Sequence, residues 1–296
     1  MNITFRQLRL FLALADTGSV SAAARALHVT QPTASMQLRE ISESVGLPLY
    51  EVIARKVYLT DAGRQLAATA RAIVDEWECF GQNVNAMKGL TRGRLRVALV
   101  STAKYFVPRL LGSFCERHPG IDISLEVLNR DGVVQRLREN RDDLYIMSMP
   151  PQDMDLEDQT FLDNPLVLIA AADHPLARQA RLQLSDLQRE RLILRERGSG
   201  TRQACDRFFA AQGFVPQTWL ELGSNEAIKA SVAAHLGVAV ISRHALNAQD
   251  LGHDLCLLPL EGLPIRSQWH VVHPRAKQLS PIARVFREHL LSQVST

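Results

Sequence analysis

The run from Gly18 to Val45 constrains the fold more than any other part of the chain, because it predicts two short helices joined by a tight turn. The first helix follows a Ser19 cap and carries closely spaced alanines in SVSAAARALHV. The second follows Thr30 and has Pro32 in its first turn. An earlier helix is indicated by apolar residues at helical spacing, namely Phe5, Leu8, Phe11, Leu12 and Ala15. The sequence therefore predicts three helices around a small core.

This helix pair has the form of a helix-turn-helix, whose second helix offers its N-terminal side chains to the DNA major groove. Glutamine can pair with an adenine edge, arginine with guanine or phosphate, and serine and threonine with bases or phosphates. A polar helix start alone is usually only a cap. Here two β-prone runs follow and flank ARK, so we expect a two-stranded wing that brings Arg55 and Lys56 to phosphates. The outward residues of the second helix are predicted to be Gln31, Thr33, Ser35 and Arg39.

A heptad pattern follows the wing. Its apolar residues recur at alternating steps of four and three, and they are Leu66, Ala70, Ile73, Trp77, Phe80, Val84 and Met87. A period of about 3.5 residues with polar residues on the other faces predicts two helices packed along one seam, and hence a homodimer. The alternative is one helix packed on the core of its own domain. A two-fold dimer would place two recognition helices on the half-sites of a palindromic DNA site.

From residue 93 onward, buried strands alternate with helices, as in RLRVALVS, YFVPRLLGSFCERHPG, LVLIAAA and VAVIS. This alternation predicts α/β architecture with mainly parallel sheets and two lobes. Ligands of such sheets lie outside the carboxyl ends of strands, where N–H groups at helix starts favour anions. Three junctions of this kind carry small polar residues, among them RERGSGTR. The predicted anion site between the lobes comprises Ser101, Thr102, Asn129, Thr201, Arg202, Ser224 and Asn225.

Composition argues against several other classes of protein. The cysteines are far apart and form no CxxC pair, so neither a disulfide framework nor a metal site is expected, and no cofactor is implied. No apolar run approaches the roughly 18 residues of a membrane span. Arg6 and Arg9 interrupt the apolar N-terminus, which argues against a signal peptide and favours a cytoplasmic protein. The net charge of +3 permits a polyanionic partner.

The sequence resembles the LysR-type transcriptional regulators. The resemblance is carried by SVSAAARALHVTQPTASMQLREIS and by LPLYEV followed by ARKVYLTDAGR, and it continues along the whole chain. It departs at Ala54, where relatives often carry glycine in the wing turn. The family fold implies an N-terminal all-α winged helix-turn-helix over residues 1–59, a long linker helix over 60–89 and an effector-binding domain over 93–296. The predicted DNA-contacting residues are thus Thr30, Gln31, Pro32, Thr33, Ser35, Arg39, Arg55 and Lys56.

In this family the C-terminal region is an α/β two-lobed domain that resembles type 2 periplasmic binding proteins. With chain crossings near residues 162 and 268, lobe I would span 93–162 and 268–296, and lobe II 163–267. The phrases VSTAKYFVPRLL, DDLYIMSMPP and RERGSGTR resemble the CbbR branch, which controls Calvin-cycle operons. The resemblance implies double-stranded DNA and a small anionic metabolite as partners. It also implies a homodimer, a homotetramer where two dimers join, and RNA polymerase as a further candidate partner.

Three alternatives come from other functional classes. An enzyme is disfavoured because GSGT lacks the lysine and spacing of a phosphate-binding P-loop, and no GxSxG or HExxH motif is present. A cytosolic small-molecule-binding protein without a DNA role is the second. A thiol redox sensor is the third, and it would use Cys205 just inside the GTRQAC helix, where the helix dipole can lower a thiol pKa.

Overall fold

The computed structural model describes residues 2–54, 56–87 and 93–292, apart from the side chains of residues 85–87. The chain divides into two compact units, Met1–Gly89 with Glu139–Arg141, and Leu90–Arg138 with Asp142–Thr296. The N-terminal unit contains α1 (Phe5–Thr17), α2 (Val20–Ala26), α3 (Gln31–Val45), β1 (Tyr50–Ile53), β2 (Lys56–Leu59) and α4 (Asp61–Met87).

The first three helices begin at side-chain caps. Ser19 accepts a hydrogen bond from the Ala22 N–H, and Thr30 accepts one from the Thr33 N–H, so both predicted caps are confirmed. The apolar faces of the helices meet in one core, whose largest buried members are Leu10, Phe11, Leu14, Leu38, Ile41 and Leu49. Each such side chain stabilises the fold by about 1.5–3 kcal/mol through burial. The predicted three-helix core is therefore present.

Helix α4 begins in contact with the loop that precedes β1. Thr60 donates to the Pro48 carbonyl oxygen (2.7 Å) and accepts from the Gly63 N–H (3.0 Å). A Cβ atom at Gly63 would lie 1.9 Å from the Leu49 carbonyl oxygen, so only glycine permits this approach. The start of α4 is consequently fixed against the helix-turn-helix.

The second unit contains two five-stranded sheets. Its elements are β3 (Gly93–Val100), α5 (Val107–Arg117), β4 (Ile121–Leu128), α6 (Arg130–Arg138), β5 (Leu144–Met147), β6 (Leu156–Asp163), β7 (Leu166–Ala171), β8 (Leu192–Arg195), α7 (Gly200–Ala211), β9 (Thr218–Leu222), α8 (Asn225–Ala233), β10 (Val238–Ser242), β11 (Leu255–Leu258), β12 (Gln268–Pro274) and α9 (Pro281–Ser292). The first lobe has the strand order β4-β3-β5-β12-β6, and the second has β11-β7-β10-β8-β9.

Helices cover each sheet and form its core. In the first lobe, the rings of Phe114 on α5 and Phe286 on α9 lie 4.9 Å apart over the buried strands. In the second lobe, Phe209 on α7 and Ile228 on α8 are buried against the sheet. The chain passes outward from β6 to β7 and returns from β11 to β12, so that both lobes are built from discontinuous segments.

The prediction of mainly parallel sheets is wrong. Strand β12 is antiparallel to both of its neighbours, and β7 is antiparallel to both of its own. The reason is topological. Strand β12 begins beside the end of β6, with Gln268 opposite Asp163, because the chain leaves and re-enters the first lobe at the same place. It must therefore run antiparallel to β6. The parallel strands β3, β4 and β5, and likewise β8, β9 and β10, still place their carboxyl ends at the crossing edge.

Candidate functional sites

One face of α3 presents polar side chains outward. The opposite face is fixed by three buried residues, Ala34, Leu38 and Ile41. The outward face carries the exposed residues Gln31, Pro32, Ser35 and Arg39, with Thr30 exposed at the cap and Thr33 half-buried. Gln31, Ser35 and Arg39 form no side-chain hydrogen bond with another described residue. Sequence reasoning missed Met36, which is 55% exposed on this face and can contact a thymine methyl group.

Strands β1 and β2 form the predicted wing. They are antiparallel and pair Ile53 with Lys56. Lys56 is exposed. Ala54 has a φ of 50°, a left-handed conformation that costs a non-glycine residue about 1–2 kcal/mol. Ala54 therefore occupies the position where glycine would be unstrained, and Arg55 lies outside the described residues.

The heptad residues of α4 divide between two environments. Ala70 has no exposed surface and Leu66 is half-buried, and both pack in the core of the N-terminal unit. Their assignment to an intermolecular seam is corrected, because the helix-turn-helix already covers this part of the stripe. Val84 is half-buried, and the Met87 side chain lies outside the described residues.

The middle of the stripe is exposed and aromatic. Ile73, Trp77 and Phe80 are 44%, 63% and 58% exposed. The Trp77 ring lies 5.9 Å from the rings of both Phe5 and Phe80, and these residues line a groove of about 440 Å³. A contiguous apolar surface on an otherwise polar helix is typical of an interaction face.

In the second unit, Arg195 connects the two lobes. It is the last residue of β8 and is only 2% exposed. Its guanidinium donates to Ser101 Oγ (3.2 Å) and Thr102 Oγ1 (3.4 Å), which follow β3 in the first lobe. It also donates to Asn225 Oδ1 (3.1 Å), at the start of α8 in the second lobe. Three predicted site residues thus meet at an arginine that sequence reasoning did not select.

The charge of Arg195 is balanced by the residue that follows it. Glu196 accepts from Arg195 Nε (2.8 Å) and Nη2 (3.0 Å), a bidentate geometry. A ligand carboxylate or phosphate would bind a guanidinium in the same way. The Glu196 side chain is 21% exposed, whereas that of Arg195 is 2% exposed. The carboxylate can therefore turn toward solvent, while the guanidinium is fixed between the lobes.

Arg202, the predicted anion-binding arginine, is already neutralised. Its Nε donates to both carboxylate oxygens of Asp206 (2.9 and 3.1 Å), and its Nη1 donates to Glu221 (2.9 Å). Burial lowers the pKa of Arg202, but hydrogen bonds to Glu221 and Asp206 raise it more. This corrects the prediction, because two carboxylates already occupy the Arg202 guanidinium.

The glycines of GSGT allow the lobes to approach each other. A Cβ atom at Gly200 would lie 2.8 Å from Ser148 Oγ, and one at Gly198 would lie 2.9 Å from Asp131 Oδ2. The Asp131 N–H donates to the Gly198 carbonyl oxygen (3.2 Å). The start of α7 in the second lobe therefore packs against the ends of β4 and β5 in the first.

Hydroxyl groups without partners surround the start of α7. Ser148, Ser199 and Thr201 are 5%, 3% and 6% exposed, and their hydroxyls bond no other described residue. Ser199 precedes α7 without capping it, so its side chain leaves the N–H groups of the first turn unbonded. These hydroxyl oxygens are not among the fully buried side-chain atoms that lack a partner, so they remain accessible to a bound molecule. Together with the free N–H groups, they can bind an anionic ligand.

The other predicted junction residues act as helix caps. Asn129 accepts from the Gly132 N–H (2.9 Å), and Ser224 accepts from the Ala227 N–H (3.4 Å). Beside Ser224, Glu226 accepts from Lys104 Nζ (2.8 Å) and the Tyr105 hydroxyl (2.7 Å) of the first lobe. Burial raises the pKa of Glu226, but these hydrogen bonds and one from Ser224 lower it to about 2. Glu226 is thus an ionised second link between the lobes.

Cys205 does not have the environment of a redox thiol. It is 1% exposed in the core of the second lobe, and burial raises its pKa to about 12. The expected lowering by the helix dipole is wrong, because desolvation of the thiolate is the larger effect. The four cysteines are all free. No group of three or more His, Cys, Asp and Glu side chains among the described residues is arranged to hold a metal ion.

Comparison with known proteins identifies the family. Residues 5–64 match the model "Bacterial regulatory helix-turn-helix protein, lysR family", and residues 88–295 match "LysR substrate binding domain". The chain is a LysR-type transcriptional regulator. Among the described residues of this regulator, no helix is both long and apolar enough to span a bilayer.

Relatives of this LysR-type regulator are similar over nearly its whole length. It is 43% identical over 289 residues to the RuBisCO operon transcriptional regulator of Acidithiobacillus ferrooxidans, covering 98% of this chain and 94% of that one. It is 38% identical over 291 residues to CbbR of Rhodospirillum rubrum, and the alignment covers 98% of this chain and 97% of that CbbR. The regulatory domain of CcmR from Synechocystis PCC6803, solved in complex with 2-PG, is 44% identical with a TM-score of 0.67, covering 69% of this chain and 99% of that domain. The resemblance to the CbbR branch is confirmed.

Proposed function

We propose that this regulator controls carbon-fixation or central-carbon genes, and that a small anionic metabolite between the lobes sets its affinity for operator DNA. Residues 1–59 would form the DNA-binding domain, 60–89 the linker, and 93–296 the effector-binding domain. The observation that supports this proposal most strongly is the buried Arg195. Its guanidinium donates hydrogen bonds to residues of both lobes and is paired with the Glu196 carboxylate, which is partly exposed to solvent. The relatives, which include a RuBisCO operon regulator and CbbR, support this class of genes, and the 2-PG complex of the CcmR domain supports a metabolite effector.

The proposed binding step is an exchange of anions at Arg195. The metabolite would take the position of the Glu196 carboxylate, while Ser148, Ser199 and Thr201 supply hydroxyls. A hydrogen bond to a charged group contributes about 1.5–3 kcal/mol. Because the partners of Arg195 come from both lobes, the bound anion would favour one interlobe angle. Through the linker, that angle would alter the spacing of the recognition helices in a dimer.

A thermal-shift screen tests this exchange. Phosphoenolpyruvate, sugar phosphates and 2-oxoglutarate are compared with neutral sugars, since a ligand of the native state raises the melting temperature. At least one anion is expected to stabilise the wild type, and Glu196→Gln is expected to bind it on the order of tenfold more tightly, a change of about 1.4 kcal/mol. Stabilisation by neutral sugars alone, or weaker anion binding by Glu196→Gln, would contradict the exchange.

We propose that α3 reads bases and that the wing binds phosphates. Gln31→Ala is expected to change the preferred base at one operator position, at a cost of about 1–3 kcal/mol for the preferred sequence. Lys56→Ala is expected to weaken all duplexes alike and to lower the slope of log affinity against log salt by about one. Gel-shift competition over a salt series measures both effects. A uniform loss with Gln31→Ala would show that Gln31 contacts only the backbone.

We further propose a homodimer that forms through the exposed stripe of α4, in which Ile73, Trp77 and Phe80 are joined by Val84 and Met87. Two such dimers would form a homotetramer on paired half-sites, with RNA polymerase as the partner in transcription. The relatives are transcriptional regulators, and the proposal includes no enzymatic activity.

A further inference from the structure

Met36 is the large apolar side chain that α3 exposes. It is 55% exposed and is not part of the core that the described residues of the N-terminal unit form. Successive residues of an α-helix are about 100° apart around its axis. Met36 is two residues from both Ala34 and Leu38, which are buried, so it lies on the opposite side of α3 from the core. Single exposed apolar residues are common, so the meaning of Met36 depends on its position on this helix.

Pro32 lies one helical turn before Met36 on the same face of α3, and it is also exposed. Because helical side chains lean toward the N-terminus of their helix, Met36 covers the turn that contains Pro32. The two residues therefore form a continuous apolar surface, which we call the outer strip. Ser35 and Arg39 lie beside the outer strip and are exposed as well. The part of α3 farthest from the core is thus apolar, with polar residues next to it.

Acidic residues limit which part of α3 can approach DNA. Glu40 and Glu43 are exposed on the turns that follow Met36. The Glu40 carboxylate accepts a hydrogen bond from Gln7 Nε2 (3.0 Å) on α1, which holds it at this position. Carboxylates are repelled by DNA phosphates, so the C-terminal half of α3 is kept away from the duplex. Residues 31–39 remain to face the base edges, and the outer strip lies in the middle of them.

The side chains of the outer strip have no hydrogen-bond donor, and the Met36 thioether is only a weak acceptor. Base edges in the major groove present donors, acceptors and one kind of apolar group, the C5-methyl group of thymine. Against donors or acceptors, the strip would remove water without replacing its hydrogen bonds, which is costly. A methyl group incurs no such cost, and the flexible methionine side chain adapts to apolar surfaces. The chemistry of the outer strip therefore matches a methyl group in the groove.

We propose that Met36 contacts the C5-methyl group of one operator pyrimidine and makes binding at that position depend on the methyl group. This contact rests on the proposed reading of bases by α3, and it adds an apolar contact to the hydrogen bond of Gln31. Thymine carries the methyl group in unmodified DNA. Because 5-methylcytosine carries it on the same ring atom, methylation of a cytosine at this position strengthens binding. The operator affinity of the regulator then depends on DNA methylation as well as on sequence.

Removal of single methyl groups from the DNA tests this contact. The full-length protein first selects a duplex from a random library, and each thymine of one half-site is then replaced in turn by deoxyuridine. At one position, the replacement is expected to raise the Kd of the wild type roughly fourfold, as for the loss of one buried carbon. This penalty is expected to disappear in Met36→Ala and to remain in Met36→Leu, which keeps an apolar side chain. Fluorescence anisotropy measures each Kd.

A second arm keeps the base constant and adds the methyl group. With cytosine at the same position, 5-methyldeoxycytidine is expected to lower the Kd of the wild type roughly fourfold relative to deoxycytidine, while Met36→Ala binds the two duplexes equally. Leu47→Ala is the matched control. Leu47 is also 55% exposed, but it follows Gly46, the C-cap of α3, so both methyl effects should remain. Unchanged melting temperatures establish that the variants are folded.

The contradicting results separate this contact from the proposed function. A deoxyuridine penalty that persists in Met36→Ala, or a selected duplex with no thymine whose methyl group matters, overturns the role of Met36. In both cases a changed base preference in Gln31→Ala would still support base reading by α3. A protein that selects no sequence contradicts the proposed function itself, and the role of Met36 with it.

Discussion

Replacing Arg195 with methionine is expected to abolish the response to anionic metabolites and to lower stability. Methionine keeps much of the length but removes every donor to Ser101, Thr102 and Asn225. It also leaves the buried acceptors on Thr102 and Asn225 without their donor, and each buried acceptor left without a hydrogen bond costs about 1–3 kcal/mol. A fall in melting temperature of roughly 10 °C is expected for a domain of this size. Calorimetry measures the stability and the ligand heats.

Two further variants make this result interpretable. Arg195→Lys keeps the charge and is expected to fold, but it should weaken anion binding at least tenfold, because lysine lacks the planar fork. Arg202→Met is expected to retain the full response, since Arg202 is bonded to Asp206 and Glu221. If Arg202→Met abolishes the response while Arg195→Lys preserves it, the anion binds at Arg202 and not at Arg195.

The double variant Trp77→Lys with Phe80→Lys is expected to be monomeric. Each lysine would place an ammonium group in the apolar seam of α4, where an unpaired polar group costs about 2 kcal/mol or more. The dimer dissociation constant should rise roughly thirtyfold for each lysine. Both residues are more than half exposed, so the fold of the N-terminal unit should be unaffected. Sedimentation velocity measures the oligomeric state, and a gel shift measures the loss of binding across two half-sites.

Ala68→Lys is the matched control for the seam. Ala68 is exposed on the same helix but away from the stripe, so a lysine there should leave the dimer intact. A dimer that persists in the double variant would assign dimerisation to another surface and leave the aromatic groove without a role in it.

Local features of the DNA-binding region could be predicted from the sequence. The caps at Ser19 and Thr30 and the outward row of α3 depend on neighbouring residues, which the sequence displays directly. The heptad stripe was less predictable. Ala70 and Trp77 occupy equivalent heptad positions, yet Ala70 is buried by the helix-turn-helix and Trp77 is 63% exposed. Which part of an apolar stripe remains exposed depends on where another element packs, and periodicity does not contain that information.

The anion site also combines features that the local sequence predicts with features that depend on distant parts of the chain. RERGSGTR contains three arginines, and the residues of this loop alone do not distinguish Arg195 from Arg202. Apart from the adjacent Glu196, the hydrogen-bond partners of the Arg195 guanidinium are 30 to 94 residues away in the chain. Arg202 meets Asp206 one helical turn later and Glu221 on β9. An arginine at the end of the buried run RLILRE was the available signal, since a buried charge requires partners. The antiparallel direction of β7 and β12 could not be predicted either. It depends on where the chain crosses between the lobes, which the residues of each strand do not show.

The most direct test of metabolite-controlled operator binding is the affinity of the full-length protein for a duplex selected from a random library, measured by fluorescence anisotropy with and without each metabolite. We expect a selected sequence that is bound more tightly than random duplex. At least one anionic metabolite should change its Kd by about 5–150-fold, equivalent to a coupling of about 1–3 kcal/mol, while neutral sugars leave it unchanged. A protein that selects no sequence, or whose Kd for the selected duplex is the same with every anion as without it, would contradict the account.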